Sequence, residues 1–157
     1  MTKPNIGLDG NARKSVAAAL NNVLADTYTL YMKTHAYHWN VTGPNFHSLH
    51  VMFEEQYREM WAALDELAER VRALGVFAPT SGKAFAELTT IESADKEPPA
   101  AGDMVKNLLA DHETLIRRAR EALETASEAE DVASEDLLTQ RIQTHEKTAW
   151  MLRATTE

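Results

Sequence analysis

Four of the six histidines in this 157-residue sequence crowd into sixteen positions, as His35, His38, His47 and His50, where composition alone would place about 0.6. The members of each pair are three residues apart, and Gly43-Pro44 stands between the pairs. A spacing of three puts two side chains on one face of a helix. A Gly-Pro break folds one helix back on the next, so His38 and His50 can approach each other across the turn. Neutral imidazoles are nitrogen ligands for transition metals, and a hard iron site also needs carboxylates to balance its charge. Asp65 and Glu69 supply an i, i+4 pair on one face of the following segment. By spacing alone, an ordinary solvated or ion-paired face is the commoner account of such a pair.

Distance sharpens the reading. His50 and Asp65 are fifteen residues apart on one unbroken segment, which on a helix separates them by about 22 Å. They cannot hold one metal ion within a single chain. A shared site requires two copies of this helix packed antiparallel about a two-fold axis, so that His38 and His50 of one meet Asp65 and Glu69 of the other. The sequence permits this arrangement without requiring it. A site inside the bundle is disfavoured, because the Glu-x-x-His signature of intra-bundle di-iron proteins is missing. The residues three before the histidines are Met32, His35, Pro44, His47, Leu109 and Ile142.

The elements that must position these groups are legible from the breakers. The 6 Gly and 5 Pro fall at 4–10, 43–44, 75–82 and 98–102, leaving Asn11–Thr42, Asn45–Leu74, Lys83–Glu97 and Asp103–Glu157 free of both. The segments are rich in helix formers. Phe53, Tyr57, Met60, Leu64, Leu67, Val71 and Leu74 recur at helical spacing. So do Val16, Leu20, Val23, Thr27, Leu30 and Thr34 in the first segment. The last segment contains two stripes, Val105 to Leu123 through His112 and Leu138 to Leu152 through His145, with a polar turn at Ser127 to Asp131. The fold class is therefore all-α. Four long helices form a ferritin-like bundle over 11–157, with a flexible tail at 1–10. A long connection between helices 2 and 3 crosses the length of the bundle and carries a short extra helix near Lys83–Leu88. His112 and His145 read as satisfied core histidines, and His35 and His47 as neighbours of the site or surface residues.

Composition narrows the function classes. With no cysteine, disulfide, zinc-ribbon and thiol chemistry are excluded. A net charge of −8 favours cations over phosphate. No apolar run approaches a bilayer span, and the start lacks the apolar core of a secretory signal, so the expectation is a cytoplasmic protein with no membrane partner.

The run His38-Trp39-Asn40-Val41-Thr42-Gly43-Pro44-Asn45-Phe46-His47-Ser48-Leu49-His50, followed by Asp65-Glu66-Leu67-Ala68-Glu69-Arg70, resembles the Dps family of mini-ferritins. The likeness extends over nearly the whole chain, to His145-Glu146-Lys147-Thr148-Ala149-Trp150-Met151-Leu152. The resemblance implies a homododecameric shell that oxidises Fe(II) with hydrogen peroxide at di-iron centres between two-fold-related subunits and stores Fe(III) mineral inside. Its implied ligands are His38, His50, Asp65 and Glu69. Glu54 and Glu55 match positions near the iron site and of mineral nucleation, and a solvated face is the competing account. Trp39 matches an aromatic that absorbs stray oxidising equivalents, with packing as the alternative. Of the acids from Glu124 to Asp136, Asp131 and Asp136 best match the three-fold pore.

Direct DNA binding is expected to be weak or absent. Only Lys3, Arg13 and Lys14 are basic near the start, against an acidic charge repeated in every subunit. The alternatives are a nucleoid-compacting protein with little ferroxidase role, which would need a basic tail, and a plain helical interaction bundle, which would not depend on Asp65 or Glu69.

Overall fold

The computed structural model describes residues 3–156; Met1, Thr2 and Glu157 lie outside the described residues. Five helices follow in order: α1 (Gly10–Asn40), α2 (Phe46–Ala73), α3 (Gly82–Leu88), α4 (Ala101–Glu128) and α5 (Val132–Ala154). The described residues contain no strand. Gly10, Gly82 and Gly102 mark helix starts and fall inside the first turn, where a helix is not yet fully hydrogen-bonded. Asp9 caps α1 by accepting from the amides of Asn11 and Ala12 at 2.7 and 2.9 Å.

α1 packs on α2, and α4 on α5, as two hairpins closed by short turns, and α1 lies against α4. Cross-links set that last register. Asp26 pairs with Arg118, Lys33 with Asp111 and Tyr37 with Asn107, so one helix is climbed as the other is descended. The long connection runs from the end of α2 back to the start of α4, which sits beside the first turns of α2 and the end of α5. The expected crossing connection with its short helix is present. Asp26, fully buried, holds it to the bundle: its carboxylate accepts from Thr89 Oγ1, Thr90 N and Thr90 Oγ1 at 2.7–3.0 Å.

The apolar stripes meet in one core. Leu20, Leu24 and Leu30 of α1, Phe53, Met60 and Leu67 of α2, Leu108 and Leu115 of α4, and Leu138 and Leu152 of α5 are fully buried. On α2, Tyr57 and Leu64 stay half-buried.

Two expectations need correction. Residues 3–9 are not a free tail: Arg13 Nη1 donates to the Pro4 carbonyl at 3.1 Å. The Pro4 ring also fills the space over Gly75, where an added Cβ would lie 2.8 Å from it. Gly75 is needed doubly, since it ends α2 with φ of +83°. The second correction concerns Asp131. It is buried, and both carboxylate oxygens are occupied: Oδ1 by Arg70 Nη2 at 2.6 Å and by the Ser134 amide at 3.2 Å, Oδ2 by the Ser134 hydroxyl at 2.6 Å. Burial pushes this carboxyl up, but the bonds from Arg70 and Ser134 outweigh it and hold it below the usual range. It caps α5 and ties it to α2, so it is not an available pore carboxylate.

Candidate metal centre

Where α1 ends and α2 begins, His38 and His50 stack ring on ring, with centroids 3.8 Å apart and planes 20° from parallel. Each binds the other's backbone. His38 Nδ1 lies 2.7 Å from the His50 carbonyl oxygen, and His50 Nδ1 lies 2.8 Å from the His38 carbonyl oxygen. A carbonyl only accepts, so both Nδ1 atoms carry the proton and both Nε2 lone pairs are free. The His38 carbonyl is one of the last four of α1, which lack partners within the helix. A helix end thus orients a candidate ligand, as outer hydrogen bonds do in metal sites generally.

One turn along α2, Glu54 completes the cluster. A ligating atom from each of His38, His50 and Glu54 lies within 4.8 Å of the others, and no other such group of three occurs among the described residues. Glu54 is at present held by Arg58, whose Nε and Nη2 both reach its Oε1 at 2.8 Å. That hydrogen bond keeps the Glu54 carboxyl below its usual range. Two imidazole nitrogens and a carboxylate are a donor set suited to Fe(II), which accepts both ligand types.

Asp65 and Glu69 lie elsewhere. They are exposed on α2, which runs unbroken from Phe46 to Ala73, and they do not join the His38 cluster. Glu55 is exposed on α2, and Asp136 is exposed on α5, accepting from Gln140 at 2.7 Å. His47 is exposed. Trp39 is 61% exposed and its ring packs 4.2 Å from that of His35.

Three features escaped sequence reasoning. His35 is stacked on Tyr57 at 3.8 Å and bonded to the Tyr31 hydroxyl at 3.2 Å. Burial lowers its pKa, helped by the charges of His38 and Arg58, and burial raises that of Tyr31. The second feature is Trp61, which is 62% exposed and packs on Tyr31 at 5.5 Å. The i, i+4 spacing of Tyr57 and Trp61 was a usable signal. The third is deep in the bundle. His112 and His145 are each 1% exposed, and their Nδ1 atoms lie 2.9 Å apart. Arg141, which pairs with Glu59, donates to His145 Nε2 at 3.0 Å. His145 must therefore donate from Nδ1 to His112 Nδ1, which leaves the proton of His112 on Nε2, and that atom has no partner. The pair is core, as expected, but not fully satisfied.

Helices, crossover and His/carboxylate donors together define a ferritin-like protein, and the ferritin-like domain family matches residues 17–157. The chain belongs within it to the Dps family. It is 38% identical over 141 residues to DNA protection during starvation protein 2 of Bacillus anthracis, covering 90% of this chain and 96% of that one. It is 43% identical over 155 residues to a low temperature-induced protein of Nostoc, covering 98% and 87%. The crystal structure of a Dps protein from Vibrio cholerae superposes with a TM-score of 0.93 at 33% identity, over 100% of this chain and 98% of that one.

Proposed function

We propose that this chain is the subunit of a dodecameric mini-ferritin that oxidises Fe(II) with hydrogen peroxide and stores the Fe(III) mineral, protecting DNA from oxidative damage. The observation that carries the reading is the reciprocal His38–His50 bonding, which leaves two imidazole lone pairs beside Glu54. Two histidines and one acid leave an iron ion short of ligands. The exposed Asp65 and Glu69 are too far along the same helix to help their own His38. A second copy packed antiparallel brings its Asp65 and Glu69 to this His38 and His50, and the exchange is reciprocal.

Iron is the substrate. The imidazoles hold it without adding charge, the carboxylates offset its charge, and oxidation to Fe(III) is favoured by the anionic ligands. Two Fe(II) ions each give one electron to one peroxide, which takes up two protons and leaves as two waters. Glu54 can turn from Arg58 to iron, and with Glu55 offers carboxylates for nucleation. Asp136 remains a candidate for the entry route, whereas Asp131 does not. Trp39 stands ready as a sacrificial reductant beside the site. DNA protection in this reading comes from removing iron and peroxide. The few bases near the start do not favour direct DNA binding, since Arg13 is engaged with Asp9 and Pro4.

The test is stopped-flow oxidation of anaerobically added Fe(II) by peroxide, with the native protein and a His50→Ala/Asp65→Ala variant, both sized on a column. The native protein is expected to elute as a dodecamer and the variant to lose at least tenfold in rate. Equal rates would overturn the site, and monomers or simple dimers would overturn the shell.

A further inference from the structure

Each of the four long helices interrupts its buried apolar stripe with a polar residue, and the interruptions fall at one level of the bundle. Gln56 is the one polar member of the buried stripe of α2, between Phe53 and Met60, and His112 is the one polar member of that of α4, between Leu108 and Leu115. On α5 His145 stands between Ile142 and Ala149, and on α1 Thr34 follows Leu30. Cross-links fix the level. His35 stacked on Tyr57 sets Thr34 beside Gln56, and Lys33 paired with Asp111 sets Thr34 within a turn of His112. Glu59 pairs with Arg141, and one turn from that pair, in opposite directions along antiparallel helices, Gln56 and His145 stand level. His112 and His145 meet directly. The exposures of Thr34, Gln56, His112 and His145 are 0, 8, 1 and 1%. Groups so buried must find partners within the core, and here they do so incompletely. Among the described residues, four buried side-chain polar atoms lack a partner, and three belong to this layer: His112 Nε2, Gln56 Oε1 and Arg141 Nε. Arg141 donates to His145 Nε2, so His145 Nδ1 donates to His112 Nδ1 and His112 Nε2 carries a proton. Gln56 Oε1 is an acceptor. Thr34 gives its own proton to the Leu30 carbonyl at 2.8 Å, so its hydroxyl oxygen keeps a lone pair.

We propose that this layer is an internal hydration site: one water molecule, enclosed by the four helices, accepts from His112 Nε2 and donates to Gln56 Oε1 and Thr34 Oγ1. The chemistry of the donor and acceptor set selects water. An anion could accept from His112 and from Arg141 Nε, but the Gln56 and Thr34 oxygens would repel it. A metal cation would be repelled by the proton on His112 Nε2 and by the Arg141 guanidinium. A molecule that both accepts and donates satisfies all three groups, and three bonds is the number such buried waters typically make. The water completes a chain of bonds that starts at the part-exposed Glu59 and runs through Arg141, His145 and His112 to Gln56 and Thr34. That chain ties α2, α5, α4 and α1 together at one level and holds His112 in a single tautomer. It uses none of His38, His50, Asp65 and Glu69, so it stands independently of the iron centre.

The test is a crystal structure of the native protein at a resolution that shows ordered water. Density is expected about 2.7–3.2 Å from both His112 Nε2 and Gln56 Oε1. An empty position, or His112 Nε2 closed directly onto a protein oxygen, would overturn the site. Crystals soaked in bromide should show no anomalous peak there, and a peak would identify an anion and overturn water. In Gln56→Met, which keeps the reach of the side chain without its amide, the density should vanish; density at full occupancy would remove Gln56 from the site. In solution, urea unfolding is compared for native protein, Gln56→Met, His112→Leu and the double variant, all at the same oligomeric state. Residues sharing one water lose it once, so the unfolding constant of the double variant should depart about tenfold from the product of the single effects. Strictly multiplicative effects would count against a shared water. The native crystal decides by itself if a variant does not assemble.

Discussion

Lowering the pH from 7 to 5 should weaken this fold through two histidines buried in the bundle. His112 and His145 are fully buried, and burial, then the charge of Arg141, holds His112 neutral down to about 3. His145 is likewise pushed well below its ordinary value, by burial and then by His112 and Arg141. In the unfolded chain both titrate near 6.5. Between the folded values and 6.5 the unfolded state binds more protons, so stability rises with pH in that window and drains away as pH falls. For a histidine that stays neutral when folded, the loss from pH 7 to pH 5 is about 1.9 kcal/mol, or ~4 kcal/mol for the pair. That is a large share of the ~5–15 kcal/mol typical of a domain. The window lies above the range in which carboxylates titrate, so they contribute little. The assay is urea unfolding followed by circular dichroism at both pH values, at fixed protein and salt, for the native protein and a His112→Gln/His145→Gln variant of the same oligomeric state. The native protein should lose ~4 kcal/mol more than the variant. Equal losses would refute the reasoning.

Two further outcomes follow from the turn between α4 and α5. Asp131→Asn keeps some capping ability but strands the Arg70 guanidinium, and should cost about 2–4 kcal/mol in the same urea assay; an Asp136→Asn control should stay within about 0.5 kcal/mol. Asp131 behaving like Asp136 would show that its buried bonds are worth nothing net. Glu130 is the one non-glycine described residue with positive φ, at 56°. Glu130→Gly should therefore raise stability by about 0.5–1 kcal/mol, and a fall in the urea midpoint would count against strain at this turn.

The helices were legible because their causes are local. Breakers cluster before α1 and at the three junctions from α1 to α4, and stripes such as Phe53, Met60, Leu67 and Val71 repeat with the helical period whatever packs on them. The separation of His50 from Asp65 was equally secure, because the rise per residue is a property of the helix alone. The pairing of His38 with His50 was anticipated as proximity across a turn, but not as reciprocal bonds to each other's carbonyls. That needs the actual angle between α1 and α2. Asp131 looked like one more solvent acid in the run from Glu124 to Asp136. What set it apart is Arg70, sixty-one positions away in the chain and 2.6 Å away in space.

The stacking of His35 on Tyr57 and the His112–His145 contact were invisible for the same reason. Residue type and spacing decide which face of a helix a side chain occupies, and that much the sequence alone settled here: an all-helical bundle, histidines gathered at one turn, and carboxylates too distant to join them. Which faces meet depends on how whole helices pack. Only the tertiary structure could set His35 on Tyr57, Trp61 on Tyr31, and one histidine of α4 against another of α5, because such contacts are decided by the sum of many weak interactions across the bundle rather than by any residue's neighbours in the chain.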